Sequence, residues 1–141
     1  MEISTQVEMK GPLFKGNVPQ KLRKTVTNAI EEAVQVGESY LVEALRPQPA
    51  GFYKPAIEAG RNASTGNYRR NLSTRVQNLK GIISDGGVIY GPWLEGVSAR
   101  NRATPFKGYA AFRKATQVID RKIGRILEVH INKFIGKMNG L

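Results

Sequence analysis

Few side chains in this sequence could make or break a covalent bond. After residue 45 the acids are Glu58, Asp85, Glu95, Asp120 and Glu128. General acid–base catalysis needs titratable groups converging on one reacting atom. No two of these acids stand close in sequence, so the fold itself would have to build a dyad. Cysteine is absent, which removes thiol nucleophiles, disulfides and thiolate metal sites. His130 is the single histidine. It falls on an apolar stripe and reads as a hydrogen-bonded core residue rather than a ligand. Asp85 opens "DGG", where an aspartate is ordinary turn chemistry. "GVIYGPWLEG" has neither the strand–Gly–helix context nor the lysine of a phosphate loop. No enzyme, cofactor or metal site is expected.

The remaining chemistry is that of binding. The net charge is +11 over 141 residues, and it is unevenly spread. Residues 1–45 are net −1, 46–80 net +6, 81–97 net −2 and 98–141 net +8. A field of one sign favours an anionic partner, although it also serves as a solubilising surface. Two basic loops carry aromatics: "TGNYRRNL" with Arg69 and Arg70, and "SARNRATPFKGY" with Arg100, Arg102 and Phe106. Arginine grips phosphate or carboxylate with two parallel bonds. Aromatics beside it suit either stacked bases or a protein–protein hot spot. Trp93, the only tryptophan, is expected to be mostly buried, at the sheet–helix junction or between subunits. Glu95, set among arginines, is expected to pair with one of them and pin the basic loop at 97–107. Phe52 and Tyr53 are candidate anchors in a long loop at 47–67.

These residues must be positioned by a small set of elements. "EISTQVEMK" alternates: Ile3, Thr5, Val7 and Met9 on one face, polar residues on the other, which predicts a half-buried strand. Leu22, Val26, Ala29, Ile30, Ala33, Val36, Tyr40, Leu41 and Ala44 recur at helical spacing. Asn17 and Pro19 would start that helix, and Pro47 and Pro49 would end it. Gly37 inside it marks a close packing contact. Leu72, Thr74 and Val76 alternate in another strand. "KGIIS" and "VIYG" are expected to form a hairpin across "DGG". Phe112, Thr116, Ile119, Ile123, Ile126, Leu127, His130, Phe134 and Met138 predict a second long helix, capped by Gly136 or Gly140. Its back carries Lys114, Arg121 and Arg125, with Glu128 the one acid there. That back is either a solvated face or a ridge for an acidic partner or DNA phosphate. The expected fold is a single α+β domain over 1–141, in the order β-α-loop-β-β-β-α, with both helices on one face of an antiparallel sheet. No segment is apolar and long enough to span a membrane. The acidic, alternating N-terminus is unlike a signal peptide, so a cytoplasmic site of synthesis is expected.

The order of these pieces resembles the tail-completion, or neck, proteins of long-tailed bacteriophages, also filed as minor tail or head–tail connector proteins. The resemblance rests on three segments. Thr65-Gly66-Asn67-Tyr68-Arg69-Arg70-Asn71 stands where the family has Thr-Gly-x-Leu-Arg-x-Ser. Tyr90-Gly91-Pro92-Trp93-Leu94-Glu95 stands for the Tyr-Ala-x-x-x-Glu that opens the family's Tyr-Ala-x-x-x-Glu-x-Gly segment. Ala103-Thr104-Pro105-Phe106 then enters the last helix. Tyr68, Asn71 and Gly91 depart from the usual aliphatic residue, Ser and Ala. The resemblance implies a non-enzymatic structural protein of the virion, placed at the head–tail junction and assembled in the host cytoplasm. It would form a homo-oligomeric ring, sixfold or twelvefold, against neighbouring neck or tail-terminator rings. DNA phosphate in the lumen would be a further partner. The alternative is a basic nucleic-acid-binding module that uses the Arg/Lys-rich C-terminal region.

Overall fold

The computed structural model describes residues 1–8, 20–45 and 67–138. The elements run β1 (Glu2–Gln6), α1 (Gln20–Ala44), α2 (Asn67–Arg70), β2 (Ser73–Gln77), β3 (Lys80–Ser84), α3 (Gly91–Glu95), α4 (Ala99–Ala103) and α5 (Ala111–Met138). The expected α+β architecture is present. The expectations for Met9, Asn17, Pro19, Pro47, Pro49, Phe52, Tyr53, Thr65, Gly66 and Gly140 lie outside the described residues.

Three strands form one sheet in the order β1-β3-β2, with both pairings antiparallel. Period-two alternation sends Ile3, Gly81 and Ile83 to one face, and the helices cover it. On the other face Ser4, Ile82 and Arg75 stand abreast. The predicted stripe of α1 is its buried stripe: Val26, Ala29, Ile30, Ala33 and Leu41 are buried, and Leu22, Val36, Tyr40 and Ala44 are half-buried. At Gly37 α1 comes close to both of its neighbours, α5 and β3. A Cβ there would lie 2.5 Å from Ile119 Cδ1 and 2.7 Å from Ile83 Cδ1. Burial of these side chains contributes roughly 1.5–3 kcal/mol for each large one.

Two expectations about the strands are corrected. The hairpin joins β2 to β3, not "KGIIS" to "VIYG". Its turn is Asn78-Leu79, with φ of 51° and 60°. Two successive positive φ values match the right-handed twist of the flanking strands. "VIYG" is not a strand; Tyr90 leads into the short helix α3, with Pro92 in its first turn.

α5 packs along α1 through Phe112, Ala115, Ile119 and Ile126. Its far end is less covered: Phe134 is half-buried and Met138 is 69% exposed. Gly136 does not cap the helix, which continues through it to Met138. His130 is not a core residue either. It is half-buried at the seam between the two helices, with Nε2 2.6 Å from Glu32 Oε2.

Candidate functional site

Between β3 and α5 the chain builds a bracket from two short helices and two turns. It starts at Asp85, which the sequence presents as an ordinary turn acid. The structure buries it completely. Its carboxylate accepts from the Tyr68 hydroxyl at 2.9 Å, the Met1 amino group at 2.9 Å and the Gly87 N–H at 3.0 Å. Burial alone would raise the Asp85 pKa. The ammonium and the two other donors outweigh it and hold the carboxyl below its usual value. Burial, then the bond to Asp85, pushes the Tyr68 phenol far above its ordinary value near 10.

Tyr68 and Gly91 meet at this point. A Cβ at residue 91 would collide with Asp85 Oδ2 and lie 3.3 Å from the Tyr68 hydroxyl. Tyr68 and Gly91 are therefore one accommodation. The phenol reaches the buried acid because residue 91 has no side chain. Nearby, Asn67 Nδ2 donates to the Tyr90 hydroxyl at 2.7 Å.

Glu95 ends α3 and is 6% exposed. The expected arginine partner is not the one it takes. Its two oxygens accept from the backbone N–H groups of Phe112 and Arg113, each at 2.9 Å. A helix leaves its first N–H groups without internal partners, and a carboxylate there meets both the donors and the positive end of the dipole. Glu95 therefore caps α5 from seventeen residues upstream.

Asn101 on α4 closes the bracket and is 3% exposed. Its Nδ2 donates to Trp93 O at 3.0 Å and Phe106 O at 3.2 Å, while its Oδ1 accepts from Ser98 N–H at 3.0 Å and Ser98 Oγ at 2.7 Å. Gly96 and Gly108 lie back to back at the waist of the loop, with φ of 95° and 85°. The basic loop is thus a built structure containing a helix, not an irregular segment. Among the described residues every buried side-chain nitrogen and oxygen has a partner.

On its outside the bracket carries an aromatic row. Trp93 and Phe106 have ring centroids 4.9 Å apart, Phe106 and Tyr109 5.2 Å, and the Arg100 guanidinium lies 4.9 Å from the Trp93 ring centre. Within one chain Trp93 is half-buried, because it lies on the bracket and not at the sheet–helix junction. Phe106 and Arg69 are half-buried; Arg70, Arg100 and Arg102 are exposed. Lys114, Arg121 and Arg125 are exposed along the back of α5, as the helical period predicts. Glu128 approaches Arg125 at 3.7 Å across a solvated pair. The bracket brings Trp93, Arg100 and Phe106 together; the α5 ridge is a separate surface.

The sequence reading missed Asn101 and the buried role of Asp85. Ser98 just before a short helix and Asn101 three residues on, inside it, carry the spacing of a capping box and could have signalled the first. For the second only the Gly87 N–H is local, and the other donors come from Met1 and Tyr68. Among the described residues no group of three His, Asp or Glu side chains could hold a metal ion, and no helix is long and apolar enough to cross a membrane. The chain matches no family model, no curated protein and no solved structure.

Proposed function

We propose that this chain is a non-enzymatic virion protein that joins the capsid neck to the tail as one subunit of a ring. The observation that carries the reading is where the residues of the three resembling segments sit, departures included. Tyr68, Tyr90, Gly91 and Glu95, which come from two of the three segments of the resemblance, all brace the bracket. Phe106, from the third, packs on Trp93. The buried carboxylates Asp85 and Glu95 have their oxygens engaged in holding the fold. What the bracket presents outward is aromatic and cationic, the composition of a protein contact. The partners are copies of the chain in a sixfold or twelvefold ring and the adjoining neck or tail-terminator rings, at the head–tail junction.

The test is the triple change Lys114→Glu, Arg121→Glu and Arg125→Glu. All three side chains are exposed, so the fold should survive. The variant should fail to join filled capsids to tails where the parent chain succeeds, as counted in negative stain. Normal yield of joined particles would remove the α5 ridge from the contact; failure of the parent chain to join them would remove the reading itself. The second reading, nucleic-acid binding, rests on the same ridge. It requires duplex affinity that falls steeply with salt, with a log–log slope near −0.9 per phosphate contact.

A further inference from the structure

Among the described residues no backbone hydrogen bond reaches the outer edge of either outer strand, although the start of β1 shares a pocket with Gly96, Val97 and Lys107. In an antiparallel ladder, alternate residues direct their N–H and C=O groups at the partner and the others point away. Val7 N–H bonds Leu79 O, and Asp85 N–H bonds Met1 O. With the register, these fix the odd residues of β1 as inward and Glu2, Ser4 and Gln6 as outward. On β3 the even residues then face β2, which makes Ser73, Arg75 and Gln77 inward and leaves Thr74 and Val76 outward.

We propose that β2 of one copy pairs in parallel with β1 of the next, forming a continuous sheet through a chain of copies. Three observations carry this. The first is parity. The outward residues of β2 put their side chains on the helix face, whereas the outward residues of β1 put theirs on the open face. An antiparallel junction sets outward residues opposite each other on one face, so it would turn the second copy upside down. A parallel junction sets an outward residue opposite an inward one, so the helix layers stay on the same side. The second is direction. Both β1 and β2 run antiparallel to β3, hence parallel to each other. A copy displaced sideways presents its β1 to β2 in the parallel sense, and this is a head-to-tail contact that can repeat. The third is charge. Residues 67–84 carry Arg69, Arg70, Arg75 and Lys80 and no acid; residues 1–8 carry Glu2 and Glu8 and no Lys or Arg.

The strands are of equal length, and full overlap sets Ser73 to Gln77 beside Glu2 to Gln6. Thr74 N–H then donates to Glu2 O and Val76 N–H to Ser4 O, while Ser4 N–H donates to Thr74 O and Gln6 N–H to Val76 O. Arg75 lies opposite Ser4 and diagonal to Glu2 on the open face. The proposal deepens the ring reading by naming the surface through which copies meet.

The sequence has no native cysteine, which gives a clean test. Ser4 and Arg75 of one chain flank Ile82, so they are two strand spacings apart, ~10 Å, beyond the ~7 Å reach of a disulfide. The purified variants Ser4→Cys and Arg75→Cys are mixed and oxidised. The expected product is the mixed disulfide, with little of either symmetric dimer; the double variant should give a ladder of linked copies. Adding Val76→Pro removes an outward N–H and no bond within the sheet. It should abolish the cross-link while leaving the circular dichroism spectrum and cooperative melting in place. Two results overturn the pairing: no mixed disulfide between folded chains, or symmetric dimers in equal yield. Cross-linking uses the chain alone, so it is separable from the neck–tail reading. A mixed disulfide, with a parent chain that fails to join filled capsids to tails, would keep the pairing and remove that reading. Completed particles with no mixed disulfide would do the reverse.

Discussion

The helix–sheet layer and the bracket at 85–113 are both buried, but by different means. In the layer, Ile30, Leu41, Ile83, Phe112 and Ile119 exclude water together, and none depends on one partner atom. In the bracket, Asp85, Glu95 and Asn101 are buried because each places its polar atoms on named donors or acceptors. Apolar burial is non-directional and tolerates a change of shape at similar volume. A buried hydrogen-bond set does not, because a donor that loses its acceptor keeps the full desolvation penalty. Robustness and geometric definition are therefore assigned to different parts of one small chain.

This contrast can be broken or sharpened by three substitutions. The largest effect is expected for Gly96→Ala. The new Cβ would strike the carbonyl of Lys107, and alanine is strained at φ 95°. Overpacking and left-handed strain together should cost about 3–4 kcal/mol, read from urea unfolding. A loss below ~1 kcal/mol would mean that the bracket yields as easily as a surface loop. Next is Glu95→Gln, which keeps shape and volume but turns an amide N–H₂ toward backbone N–H groups. It should cost about 2–3 kcal/mol, with faster amide exchange at Phe112 and Arg113. Exchange unchanged at those two amides would show that the cap is not held in solution. The smallest effect is expected for Leu41→Met, an equally conservative change in the layer. It should cost under ~1.5 kcal/mol. If Leu41→Met cost more than Glu95→Gln, the contrast would be reversed.

The layer was legible in the sequence for the same reason that it is tolerant. Period 3.6 in α1 and α5 and period 2 in β1 and β2 are written many times over, so no single residue decides them. The bracket was not legible, because each of its bonds is decided once and across distance. Glu95 stands near six arginines in sequence, and charge alone selects an arginine partner. The fold instead delivers the first N–H groups of α5. Asp85 depends on Tyr68 and on Met1, which is 84 residues away. The hairpin was misplaced for a related reason. "DGG" is the stronger turn signal, yet Asn78-Leu79 takes the positive φ values because the register of β2 on β3 requires a two-residue link there.

The bond pair from Glu95 to α5 has a further consequence, one of azimuth. A helix held by one hydrogen bond can swivel about its axis. Two bonds from consecutive N–H groups to the two oxygens of one carboxylate act as a key in a slot, and they set the angle at which α5 leaves the bracket. A slip of one residue at that slot would rotate every side chain on the helix by about 100°. Lys114, Arg121 and Arg125 would then swing from the solvent side toward the flank, although nothing in their own stretch of sequence had changed. The direction in which the cationic ridge points is thus indexed by an acid that lies outside the helix.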